Sequence, residues 1–140
     1  MDIVDPKTRS RMMSNIKGKN TKPEMLLRRA LHHIGFRYLL HDKRLPGKPD
    51  LLFPKYKSAV FVHGCFWHRH PGCKNATMPS TRRAFWEKKL LGNVARDRKR
   101  IEELESLGWR VLVVWECELT KARVDETVAR CREWLLAGAK

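Results

Sequence analysis

Acidic residues are scarce in this chain. Its 140 residues hold 15 Asp and Glu against 30 Lys and Arg, a formal net charge of +15. A positive potential of that size does not select a fold, but it attracts polyanions. Nucleic acid is the leading candidate, ahead of an anionic membrane surface. Long hydrophobic runs are also missing. No segment is apolar enough to span a bilayer, and the opening "MDIVDPKTRS" has no signal-peptide core, so the expected compartment is the cytoplasm. Cysteine is limited to four residues, which in a reducing compartment suggests metal binding or burial before disulfides. There are no internal repeats and no low-complexity linkers. What is present is a 42% hydrophobic content with five Trp, enough for one folded domain and too short a chain for two.

Residues 7–20, "KTRSRMMSNIKGKN", are basic, carry no acid and lack apolar periodicity, and read as an arm that orders on a partner. Structure begins at "TKPE". Thr21 with Glu24 forms a capping box, Pro23 falls in the first turn, and Leu27, Ala30, Leu31 and Ile34 share a face before Gly35. Strands are expected at 36–40, 51–53 and 58–62, the last apolar enough to be central. A long helix from about 81 to 107 carries Leu90, Val94, Ile101 and Leu104 inward, with Gly92 a candidate bend. "WRVLVVWE" (109–116) reads as a buried strand parallel to 58–62, joined to it through the helix. A last helix, about 124–136, buries Val124, Val128, Cys131 and Leu135. The order helix, three strands, helix, strand, helix gives a three-layer α/β domain with a mixed central sheet flanked by helices.

The stretch "FVHGCFWHRHPGC" (61–73) crowds histidines, cysteines and aromatics behind an apolar strand. Cys65, His70 and Cys73 lie within nine positions, and Cys117 follows the last expected strand. Parallel strands deliver their C-terminal ends to one edge, which would bring Cys117 to the loop and complete a closed Cys₃His zinc set. The alternatives are ordinary loop residues, or two reduced, buried cysteines. Cys131 is excluded from the set by its place on a buried helical stripe.

Asp50 stands at the mouth of a strand, where a carboxylate can hold a divalent cation, or simply closes the turn "PGKPD". His63 ends the central strand and His68 lies between the expected zinc ligands. Two imidazoles beside an acid suit hydrolysis, because imidazole takes a proton from water near neutral pH. Glu24 reads first as a capping residue, and Asp97, in "NVARDRKR", as part of a solvated basic helix face. Phe66, Trp67, Phe85 and Trp86 are core candidates, but in a basic protein exposed aromatics also stack on bases or wedge between them.

The blocks "TRSRMMSNI", "TKPEMLLR", "LPGKPDLLF", "FVHGCFWHRHPGC", "RRAFWEKKLLGNVARDR" and "GWRVLVVWEC" together resemble the very-short-patch mismatch repair endonucleases of bacteria. The resemblance runs through nearly the whole chain. It implies a restriction-endonuclease-like core (21–140, zinc-stabilised) behind a DNA-ordered arm (1–20). It implies a Mg²⁺-dependent nick of one DNA strand, 5′ to the mispaired T of T·G mismatches left by deamination of 5-methylcytosine. By the same resemblance Asp50 matches the Mg²⁺-binding acid, with the main-chain carbonyl of Val62. His68 matches the general base, His63 a group on the leaving side, and Glu24 and Asp97 polar partners of that centre. Phe66, Trp67 and Trp86 match an aromatic wedge entering from the major groove, and Met13 a residue entering from the minor-groove side. Implied partners are mismatched duplex DNA, mismatch-repair proteins and a gap-filling polymerase, for a monomer at the nucleoid.

The sequence departs from the wider nuclease superfamily. Asp50 fits the first half of a Pro-Asp…(Asp/Glu)-x-Lys signature, but "SAVFVHG" offers neither the second acid nor the lysine. A histidine would replace the lysine and a backbone oxygen the acid. Val62 stands where the family can carry a hydroxyl residue, a tolerable change if only the carbonyl binds metal. Three rivals remain at this level: a non-catalytic zinc-dependent DNA-binding module, a restriction-like or broader mismatch nickase, and, more distantly, a structural RNA-binding protein.

Overall fold

The computed structural model describes residues 20–138. All of the basic arm but Asn20, Met13 included, lies outside the described residues. Helix α1 (Lys22–His33) starts where Thr21, in extended backbone, accepts a hydrogen bond from the Glu24 N–H at 3.4 Å. The return half of the expected capping box is shifted by one residue, since the Glu24 carboxylate accepts from the Asn20 N–H at 3.1 Å. Leu27 and Leu31 are buried, but Ile34 is 44% exposed, because the chain leaves the helix at that residue.

Strand β1 is only Leu39–Leu40, shorter than the expected 36–40. The reason is local. The Phe36 N–H is used by the Leu31 carbonyl in the turn that ends α1, and the Tyr38 hydroxyl donates to the Arg28 carbonyl at 2.7 Å. Strands β2 (Leu51–Phe53) and β3 (Ser58–His63) follow, linked by a short 3₁₀ turn. Then come helix α2 (Arg83–Ser106), strand β4 (Arg110–Trp115) and helix α3 (Val124–Ala137). Helix α2 runs through Gly92 without interruption.

Among the described residues the four strands make one sheet in the order β1-β2-β3-β4. The first two pairings are antiparallel, and β3 pairs with β4 in parallel, Ser58 against Arg110 through His63 against Trp115. β3 is buried, as its composition demands. β4 is the outer strand and only Val114 is fully enclosed, so the buried strand expected at 109–116 is in fact a half-covered edge.

Alternation of side chains divides the interior into two layers. Leu51, Phe53, Val60 and Val114 face Leu27 and Leu31 of α1 and Cys131 and Leu135 of α3. Leu52, Ala59 and Phe61 face Leu104 and Ile101 of α2. Removing one of these leucine side chains would cost about 2–5 kcal/mol. The functional consequence is a rigid seam: the start of β2, the end of β3 and the middle of α2 meet at one edge of the sheet.

Candidate active site and zinc-type loop

The antiparallel register Leu51↔Val60 brings Asp50, just ahead of β2, beside the C-terminal end of β3. One carboxylate oxygen, Oδ2, accepts the Val62 N–H at 2.7 Å. The other, Oδ1, lies 3.8 Å from His41 Nε2. Burial pushes the Asp50 carboxyl up from 3.8 to about 6, against the opposing pull of the Val62 N–H. Glu24 is 2% exposed; its Oε2 accepts from Arg28 at 3.0 Å and lies 2.9 Å from His41 Nε2.

His63 and His68 stack face to face, 3.9 Å between ring centroids and 8° from parallel. His63 ends β3, enclosed by Phe61 and Trp115, and burial lowers its pKa to about 4. It is therefore a neutral ring near pH 7. His68 Nδ1 lies 2.6 Å from Asp97 Oδ2, on the middle of α2. Asp97 is thus not simply part of a solvated helix face. A cleft of about 570 Å³ opens over Asp50, His63, His68 and Asp97, with Lys48 and Arg100 on its wall. Gly47, at φ +76°, allows this wall: a Cβ there would meet Arg100 Cδ and Phe61 Cζ at 3.1 Å.

The loop after β3 is held from behind. Cys65, His70, Cys73 and Cys117 place one donor atom each within 4.8 Å of one another. His70 Nδ1 is 3.6 Å from Cys65 Sγ and 3.4 Å from Cys117 Sγ, and its ring stacks on Trp115 at 4.3 Å. Burial pushes the Cys65 thiol up to about 12, while the Asn75 N–H pulls the Cys73 thiol down. Three sulfurs and an imidazole converging without a disulfide fit a tetrahedral ion better than any hydrogen-bond arrangement, since thiols are weak donors. The Arg69 guanidinium adds donations to the Phe66, Ala76 and Thr77 carbonyls.

The same loop carries Phe66 and Trp67, which meet Trp86 of α2 at 5.7 and 6.0 Å in a half-buried cluster, with Phe85 46% exposed beside it. Asn93 Nδ2 donates to the Trp67 carbonyl at 3.0 Å and fixes the loop to α2. Every expected site residue among the described ones falls in or beside one of four groups: the acid end, the paired histidines with Asp97, the Cys₃His set and the aromatic cluster.

Sequence reasoning missed His41, Asn93 and Arg69. A signal for His41 existed. Once β1 and β2 are registered as an antiparallel pair, Leu40 opposite Leu51, residue 41 falls opposite residue 50, and its N–H donates to the Asp50 carbonyl at 3.2 Å.

The fold has a solved relative. The catalytic domain of the homing endonuclease I-Bth0305I superposes with a TM-score of 0.58 over 86% of this chain and all of its own, at 21% identity. At that identity the likeness is one of architecture. Mixed sheet and flanking helices place the chain in the restriction-endonuclease-like fold class. Residues 1–75, more than half of the chain, match the family described as DNA mismatch endonuclease Vsr. The chain is 42% identical to the DNA mismatch endonuclease Vsr of Escherichia coli, covering 96% of this chain and 87% of that one. It is 46% identical to the type II nicking enzyme V.NmeAIP of Neisseria meningitidis, over 96% and 91% of the two chains. A second such enzyme, V.XorIIP of Xanthomonas oryzae, is also 46% identical, over 85% and 87%. The chain belongs to the Vsr family of DNA mismatch endonucleases.

Proposed function

We propose that this endonuclease nicks one strand of duplex DNA 5′ to the mispaired T of a T·G mismatch, with Mg²⁺ at Asp50 and zinc in the Cys₃His loop. The observation that supports it most is a shared foundation: His68 and the aromatic pair Phe66–Trp67 stand on one loop, between Cys65 and His70. Zinc there would give the loop a rigidity that its few packed side chains cannot, and would hold base and wedge at a fixed separation.

Asp50 and the Val62 carbonyl would hold the divalent ion. Bound there, Mg²⁺ would supply positive charge against the charge that builds on the phosphate. The rest falls to the chain itself. With Nδ1 committed to Asp97, His68 keeps Nε2 to accept a proton from the attacking water. Asp97 orients the ring. His63, kept neutral by burial, can stack on a ring that becomes charged without adding a second positive charge. Lys48 and Arg100 line the cleft where backbone phosphates would pass, and Glu24, 2.9 Å from His41 Nε2, would brace the acid end of the site.

Phe66, Trp67 and Trp86 would enter the stack beside the mismatch. Opening a duplex takes less free energy at a T·G pair than at a Watson–Crick pair, so a wedge converts that difference into selectivity. The nicking-enzyme names of two relatives favour cleavage of one strand. The test is a set of duplexes, each with one of the possible mismatches in varied flanking sequence, incubated with the protein and Mg²⁺ and mapped for nicks. Nicks confined to the T-bearing strand of T·G duplexes are the expected result. Equal nicking of fully paired DNA would contradict the proposal.

A further inference from the structure

Three elements converge on one point at the acid end of the cleft. Glu24 comes from α1, His41 from the end of β1 and Asp50 from the start of β2, and one donor atom of each lies within 4.8 Å of the others. His41 Nε2 is the unusual atom. It is fully buried and makes no hydrogen bond, although Glu24 Oε2 is 2.9 Å away and Asp50 Oδ1 3.8 Å away. The short approach to Glu24 lacks the alignment of a hydrogen bond. A buried polar nitrogen left unpaired ordinarily costs about 1–3 kcal/mol, a cost that a bound partner would relieve.

The carboxylates around it are already oriented from outside. Asp50 Oδ2 is held by the Val62 N–H, Glu24 Oε1 by the Asn20 N–H, and Glu24 Oε2 by Arg28. That leaves Asp50 Oδ1, the remaining lone pair of Glu24 Oε2, and His41 Nε2 directed at a common volume. Outer hydrogen bonds that aim inner donors are the usual setting of a metal site. The set is two oxygens and one imidazole nitrogen, from rigid positions.

We infer that His41 is a direct ligand of the divalent ion at Asp50, with Glu24 as third ligand, and that the site therefore prefers Mn²⁺ to Mg²⁺. The inference rests on the reading that Asp50 holds a divalent ion, and extends it to which residues complete the site and which ion it favours. Mg²⁺ takes oxygen donors almost exclusively, whereas an imidazole nitrogen strengthens the site for first-row transition ions. His63 and His68 belong to a separate group with Asp97 and remain free for proton transfer.

Binding, not cleavage, tests it. Zinc-replete full-length protein is titrated with Mn²⁺ and followed by electron paramagnetic resonance, with pulsed measurement of ¹⁴N coupling and competition by Mg²⁺. The wild-type protein should show directly bound imidazole nitrogen, replaced by a ¹⁵N signal when histidine is isotopically labelled. His41→Gln should lose that coupling and bind Mn²⁺ roughly tenfold more weakly or worse, with a much smaller change for Mg²⁺. His68→Ala should keep the coupling. Mn²⁺ binding that needs Asp50 but shows no nitrogen coupling in the wild type would overturn the His41 assignment and leave the proposed function standing. Absence of Mn²⁺ binding in the wild type would overturn the inference together with the reading that Asp50 holds a divalent ion. The isotope experiment needs no variant, so a poorly folding His41→Gln does not shelter the inference.

Discussion

His68 Nδ1 meets Asp97 Oδ2 at 2.6 Å, joining a loop of the zinc-type cluster to the middle of helix α2. The contact fixes which ring nitrogen remains available, and so makes the two residues one functional unit. His68→Ala should slow single-turnover nicking by about 10²–10⁴-fold, the range for loss of a general base. Asp97→Asn should slow it less, because the base survives without its orienting partner. The double variant should be no slower than His68→Ala alone, since residues acting as a unit are not additive. Multiplied effects in the double variant would show that the two act independently.

Asp50 and His63 predict opposite pH signatures in stability. The folded Asp50 holds its proton up to about pH 6, beyond the ordinary 3.8, so stability falls as pH rises through that window. His63, lowered to about 4 from 6.5, takes its proton first in the unfolded chain, so stability falls as pH drops through its window. In zinc-replete protein without other divalent ions, the unfolding free-energy advantage of Asp50→Asn over wild type should grow from pH 5 to 7, toward a limit of about 3 kcal/mol. That of His63→Gln should shrink over the same range. Parallel curves for the two variants would contradict the assigned environments.

Zinc content separates the loop cysteines from the buried one. Cys73→Ser should lose most bound zinc and melt at lower temperature, because a metal ligand contributes to folding directly. Cys131→Ala, a change within the α3 core, should keep full zinc. Metal analysis and thermal melts of both variants decide it, and wild-type protein that folds without zinc would remove the structural role.

Much of this was legible in the sequence, for stated reasons. The apolar run at 58–62 and the β-branched run at 109–116 specify two strands, and their parallel pairing carries Cys117 to the loop. What the sequence concealed depends on pairings between distant residues. The edge position of β4 is invisible in a run as apolar as "RVLVVW". Glu24 satisfies its capping pattern and is nonetheless turned inward against Arg28 and His41, and His41 gains meaning only from the β1–β2 register. Asp97 reads as solvated from its own segment because its partner lies 29 positions away.

Trp67 offers a test of selectivity apart from chemistry. It packs between Phe66 and Trp86, and Asn93 holds its carbonyl. Trp67→Ala should bring the affinities for T·G and fully paired duplexes closer together, by about 1–3 kcal/mol for one lost stacking contact. The cleavage rate of fully bound T·G duplex should fall less than in His68→Ala. Binding titrations against both duplexes measure the first effect, and an unchanged affinity ratio would place the wedge elsewhere.

The central claim is that Asp50 carries the chemistry, with DNA recognition supported by other residues. Single-turnover nicking of a T·G duplex in Mg²⁺, measured beside equilibrium binding of the same duplex, tests it directly in Asp50→Asn. The account predicts no detectable nicking, with affinity equal to or above wild type, because the substitution removes a negative charge facing phosphate. An Asp50→Asn protein that nicks at the wild-type rate would contradict it.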